Sequence, residues 1–266
     1  MIIISYYTIR RYHLSKRKTS ALRKEQQNQM KNYQKNPFYV TETIDFNQEY
    51  KRQRKQVELL PQSVNQEKYI LSLIDRDLDI VVVSGPAGTG KTYLAMLAAI
   101  KSLRHGDCDK IILTRPAVAV DDEKHGFLPG DLNSKMEPWV RPLLDVLRDY
   151  YSTKELIHML NEQIIEITPL AFCRGRNFKN AWVILDEAQN ATPSQLKMLM
   201  TRIGEGSKIV ITGDIEQTDR RNADNGLLDL NNKLKQTPVY GIGVCEFENR
   251  DIRRHKIIEH VLGLYA

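Results

Sequence analysis

Cysteine is scarce in this chain, and its pattern excludes two kinds of chemistry. Cys108, Cys173 and Cys245 are odd in number, far apart and outside any CxxC spacing. That rules out a disulfide framework and a thiolate metal site, and predicts reduced thiols in or near the core. The histidines lack ligand spacing as well: His255 and His260 stand five residues apart, which splits them across a helix surface. No apolar run approaches the ~18–20 residues that a membrane span requires. The opening Met1-Ile2-Ile3-Ile4-Ser5-Tyr6-Tyr7 sets apolar residues before basic ones and is too short for a secretory core segment, so a cytoplasmic location is expected.

A general basic character is also missing. The net charge of +6 resides in residues 1–29, where Arg10, Arg11, Lys16, Arg17, Lys18, Arg23 and Lys24 face a single acid, Glu25. The remainder is neutral overall, so basicity alone does not identify a nucleic-acid partner. This polar tail has few groups to pack and reads as disordered or as a loosely attached helix. Met30 is an alternative start that would omit it. A polar linker with Lys51, Arg52, Arg54 and Lys55 follows, so residues 1–56 read as a poorly ordered basic extension and 57–266 as the folded domain. No internal repeat stands out.

What the chain does contain is Gly85-Pro86-Ala87-Gly88-Thr89-Gly90-Lys91-Thr92. An apolar run, 80–84, precedes it and a helical pattern follows it, which is the context of a phosphate-binding P-loop. Glycines let successive N–H groups curl around an anion, and the helix N-terminus adds partial positive charge. Lys91 would reach the β- and γ-phosphates of ATP, and the Thr92 hydroxyl would hold Mg²⁺. Downstream, Val183-Ile184-Leu185-Asp186-Glu187 is an apolar strand ending in two acids. Parallel sheets bind ligands at the carboxyl ends of their strands, which sets this pair beside the P-loop. Asp186 then belongs to the Mg²⁺ shell and Glu187 polarises the attacking water, so hydrolysis is favoured over phosphate transfer. The next strand runs into Gly213-Asp214-Ile215-Glu216-Gln217, where Gln217 would bond a γ-phosphate or the water. Gln66 would read adenine through its amide, which has both donor and acceptor; the alternative is a solvated helix residue.

Periodicity predicts strands at 80–84, 110–114, 164–168, 181–185, 209–212 and 239–244. It predicts helices at 65–74, 91–103, 135–149, 153–160, 193–201, 226–234 and 253–264. Short β-rich runs alternating with helical ones give a three-layer α/β P-loop fold with a mostly parallel sheet. Thr192 and Pro193 suit a capped helix start.

With these residues assembled, the chain resembles the PhoH family of ATPases over roughly residues 59–265. The resemblance rests on the P-loop, Thr114-Arg115-Pro116, Gly126-Phe127-Leu128-Pro129-Gly130-Asp131, Arg174-Gly175-Arg176, Leu185-Asp186-Glu187-Ala188-Gln189-Asn190, Gly213-Asp214 with Gln217, and Asp251 with Arg254-His255. It implies a RecA-like core similar to the first lobe of superfamily-one helicases, ATP with Mg²⁺, and contact with RNA or single-stranded DNA. The small size suits a bacteriophage version. The family's usual Leu-Pro after the Gln-x-Asp element is Arg220-Arg221 here, and the basic extension has no counterpart. The resemblance includes no separate nuclease or RNA-binding module, so activities that depend on such modules are not carried over.

Thr114, Arg115, Arg174 and Arg176 follow strands at the ligand edge and would meet nucleic-acid phosphates, with Lys135 and Arg141 as further contacts. Alternatively, Arg115 and Arg174 pair with ATP phosphate or with Asp122 and Asp131. One RecA-like lobe lacks the second cation source that stabilises hydrolysis. A neighbouring subunit would supply it, which predicts a homo-oligomeric ring, perhaps a hexamer, with head-to-tail contacts. Arg254 is the leading finger, with Arg202 in reserve; the alternative for Arg254 is a surface arginine. Two other functions stay open: a P-loop kinase, and a nucleotide-gated binding switch whose turnover is incidental.

Overall fold

A computed structural model describes residues 55–116, 141–218 and 225–253. Every element described below belongs to one compact unit, Lys51–Lys124 with Pro142–Ala266.

Six strands form one sheet in the order β3-β2-β4-β5-β1-β6. They are β1 (Ile80–Ser84), β2 (Lys110–Arg115), β3 (Ile165–Pro169), β4 (Ala181–Leu185), β5 (Lys208–Gly213) and β6 (Ile242–Glu246). Every pairing is parallel. The central strands are apolar without alternation because both faces are covered, and Val81, Val82 and Val83 are wholly buried. Each such side chain contributes about 1.5–3 kcal/mol by leaving water. The covering helices are α1 (Val64–Ile74), α2 (Lys91–His105), α3 (Thr153–Asn161), α4 (Pro193–Met200) and α5 (Gly226–Gln236). Residues 142–148 are also helical, within the expected 135–149 segment.

Local chemistry sets the helix starts. Ser152 with Glu155, and Thr192 with Gln195, form capping boxes at α3 and α4, and Pro193 fills the first turn of α4. Asn225 caps α5 through its side chain. Predicted and observed bounds agree to within two residues, except at β6, which begins at Ile242 where 239 was expected. Gly241 takes φ 81°, and its carbonyl accepts from Asp79 N and Ile80 N at 2.9 and 3.0 Å. That turn delays the ladder. The expected helix 253–264 lies outside the described residues from 254 onward, as do the basic segment 1–54, Asp122, Asp131, Lys135 and Arg220-Arg221. Cys108 and Cys173 are buried and Cys245 half-buried, all three as free thiols.

Candidate nucleotide site

The loop leaving β1 adopts a conformation that its glycines permit. Gly85 has φ 146°, and a Cβ there would lie 2.6 Å from both Cβ and O of Phe247. Gly88 and Gly90 both sit at φ 84°. Gly90 begins α2 without a side-chain cap, and no acid occupies the first turn. The first amides of an α-helix have no acceptor within the helix, and the start of α2 adds the positive end of the helix dipole, an arrangement that suits an anion. The Lys91 ammonium folds back onto the loop, donating to the carbonyls of Gly85 at 2.5 Å and Pro86 at 2.7 Å. Thr89 Oγ1 donates to Pro86 O at 2.9 Å and tightens the same turn.

The sheet brings the second half of the site to the loop. β5 lies between β1 and β4, so Asp186, just past β4, reaches α2 across one strand. Its Oδ1 accepts from Thr92 Oγ1 at 2.7 Å and from Thr212 Oγ1 at 2.8 Å. Its Oδ2 accepts from Arg115 Nε at 3.0 Å and from Arg115 Nη2. Glu187 differs from Asp186 in exposure and in backbone conformation. Its side chain is 46% exposed against 7% for Asp186, and its backbone is left-handed at φ 56°. A non-glycine residue held there costs on the order of 1–3 kcal/mol, a strain that recurs at functional sites.

Gln189 and Thr212 join this site although sequence reasoning gave neither a role, Gln189 being quoted only as part of the motif 185–190. Gln189 is buried; its Nε2 donates to Glu187 Oε2 at 2.6 Å and to Gln217 O at 3.0 Å. Its Oε1 accepts from Asp214 N at 3.0 Å. One amide thus joins the exposed carboxylate to the loop after β5, which contains Gln217. The available signal was a glutamine two residues beyond a strand-end acid pair, too common to argue from alone. Gln217 enters through its backbone, and its side chain is exposed.

Gln66 is buried rather than solvated. Its Nε2 donates to Thr89 O at 3.0 Å and its Oε1 accepts from Gln62 N at 2.7 Å. These two bonds use one N–H and one lone pair of the amide. Nearby, Tyr69 Oη donates to Lys91 O at 3.2 Å. Asn65 donates to Asp251 Oδ2 at 2.7 Å, and Arg253 N donates to Gly88 O at 2.9 Å. Burial acts to raise the Asp251 carboxyl, but hydrogen bonds from Ser63, Asn65 and Glu248 N, with Arg250 nearby, outweigh it and hold the group below its usual value.

A family model described as PhoH-like protein matches residues 58–266. The chain belongs to the PhoH-like protein family. A PhoH-like protein of Synechocystis sp. is 43% identical over 200 residues, 75% of this chain and 60% of that protein. One from Bacillus subtilis is 42% identical over 221 residues, 83% of this chain and 68% of its own length. The chain thus spans only 60% of the Synechocystis relative. The Sulfolobus solfataricus SWI2/SNF2 ATPase core, solved in complex with dsDNA, covers 66% of this chain and 37% of its own at 14% identity and TM-score 0.38. That likeness is too slight to carry an argument. Family membership and the loop together make this a P-loop protein of the PhoH-like family.

The PhoH-like site offers oxygen donors, Thr92, Thr212 and Asp186, the hard set that suits Mg²⁺ bound mainly through phosphates. Among the described residues no group of three His, Cys, Asp or Glu side chains could hold a metal by itself, and no helix is long and apolar enough to cross a membrane.

The residues expected to meet nucleic acid are placed unequally. Thr114 is buried, with its hydroxyl accepting from Cys173 Sγ at 3.8 Å. Arg115 is engaged with Asp186, and Arg176 forms a two-pronged pair with Glu166 while lying 5.1 Å over the Phe178 ring. Burial opposes the Arg176 charge, but the hydrogen bond it donates to Glu166 is the larger effect and raises its affinity for the proton. Arg174 alone of the four is exposed. Arg202 lies in the turn before β5, at the sheet edge opposite the P-loop, where its carbonyl accepts from Phe178 N. Arg254 lies outside the described residues.

Proposed function

We propose that this chain is a Mg²⁺-dependent ATPase. The carrying observation is the 2.7 Å hydrogen bond from Thr92 to Asp186, which joins the P-loop helix to the strand-end acid. In this reading the amides of 85–92 hold the phosphates, and Lys91 exchanges the carbonyls of Gly85 and Pro86 for phosphate oxygens. Thr92 and Asp186 would hold Mg²⁺, which would neutralise charge on the phosphates. Arg115, now on Asp186 Oδ2, shares that carboxylate and steadies it. Glu187, half-exposed and held by Gln189, takes the proton of the attacking water. Gln217 reports the γ-phosphate through its loop, and Gln66 contacts adenine.

A water-facing Glu187 favours hydrolysis over transfer to an acceptor hydroxyl. Coupling to RNA or single-stranded DNA, a cytoplasmic location and assembly into a ring in which Arg254 serves the neighbouring site complete the proposal. The ATPase domain is taken as 57–266, with 1–56 as an appendage. Lys91→Ala is expected to abolish ATP binding, whereas Glu187→Gln retains it and loses turnover by a factor of about 10² or more. Calorimetry and phosphate release check both, and parental turnover in Glu187→Gln would remove the assigned base.

A further inference from the structure

The turn that follows edge strand β3 exposes an aromatic ring on a fixed base. Leu170–Cys173 is a single 3-10 turn whose first and last side chains are fully buried, so both ends are anchored. Between them Phe172 is 54% exposed. Two residues on, Arg174 is exposed, and among the described residues its side chain has no hydrogen bond or ion pair. Gly175 follows at φ 78°, with nothing within 4 Å of the position a Cβ would take. The nearby acid on β3, Glu166, is neutralised by Arg176. No acid occurs from 167 to 180.

A flat ring, a free guanidinium and an open glycine in sequence fit an unpaired polynucleotide. A base stacks on the ring regardless of its identity, the guanidinium takes the adjoining phosphate, and glycine admits the backbone closely. The turn lies at the carboxyl edge of the sheet, where Pro169 registers with Arg115. Cys173 Sγ donates to Thr114 Oγ1, and Thr114 O accepts from Asp186 N at 3.0 Å. Thr114, near the end of β2, thus ties the turn that holds the ring to the phosphate-site acid.

We propose that Phe172 is a base-stacking platform for single-stranded nucleic acid and that Arg174 holds the phosphate beside it. This rests on the nucleic-acid coupling proposed above and names its point of contact. The test is fluorescence anisotropy of labelled 15-nucleotide oligo-dT and oligo-rU with the full chain. Phe172→Ala is expected to weaken binding by about 5- to 150-fold, the effect of losing one stacked base. Phe172→Trp should preserve it, with indole emission quenched by the strand. Arg174→Ala should lower the salt slope by about one. If the parent binds and Phe172→Ala binds equally, or if duplex competes as well as the strand, the platform is overturned while the coupling stands. Failure of the parent to bind either oligonucleotide removes the coupling and the platform together.

Discussion

Gln189 illustrates how much of this site depends on buried polar groups that fix one another. From a buried position it holds Glu187, Asp214 and the backbone of Gln217. Replacing it with Ala leaves the Asp214 amide unsatisfied, which costs about 1–3 kcal/mol of stability. It also frees the Glu187 carboxylate to leave its position. Because Gln189 touches neither the P-loop nor the carboxylate of Asp186 in any hydrogen bond described, ATP affinity should change little. We expect Gln189→Ala to lower kcat by on the order of tenfold, or about 1.4 kcal/mol in the barrier. Steady-state rates beside calorimetric Kd values test this, and a loss confined to Kd contradicts the positioning role.

At the scale of elements, the start of α1, the P-loop and the segment ending in the 3-10 turn Asn249–Asp251 form a collar. Gln66 binds Thr89, Arg253 binds Gly88, and Asp251 draws in Asn65 and Glu248 N. Tyr69 packs edge-on against Phe247, with ring centres 5.7 Å apart. Asp251 is only 2% exposed, so Asp251→Asn removes charge-assisted bonds from a dry position and should destabilise the fold by about 1–3 kcal/mol. The folded carboxyl titrates below its usual value. Its stabilising contribution is therefore complete above the unfolded value of about 3.9 and is lost as pH falls through the lower folded value. The gap in urea midpoint between parent and variant should be smaller at pH 3 than at pH 7; a constant gap would exclude the carboxylate as cause.

For the whole molecule, the proposed ring makes a prediction that no single subunit can satisfy. Subunits carrying Lys91→Ala keep an intact Arg254 but cannot bind ATP, whereas Arg254→Ala subunits bind it and lack the finger. Mixed, they should recover turnover that neither shows alone, since a finger contributes about 10³–10⁵ in rate. Phosphate release from equimolar mixtures checks it, and no recovery would place the stabilising cation within the subunit. Arg202, at the sheet edge away from its own P-loop, is the control to mutate in parallel.

The amino-acid order alone determined the elements and the nucleotide loop. Glycine spacing, buried apolar runs and capping residues act over a few neighbours, so β1 and β4 match their predicted limits residue for residue. It did not determine which polar side chains meet. Arg115 binding Asp186, Gln66 supporting Thr89 and Gln189 bridging to the loop after β5 are contacts between segments 23 to 71 residues apart. Such pairings are chosen by strand order and by the cost of leaving a buried donor without an acceptor, conditions that exist only once the sheet has closed around them.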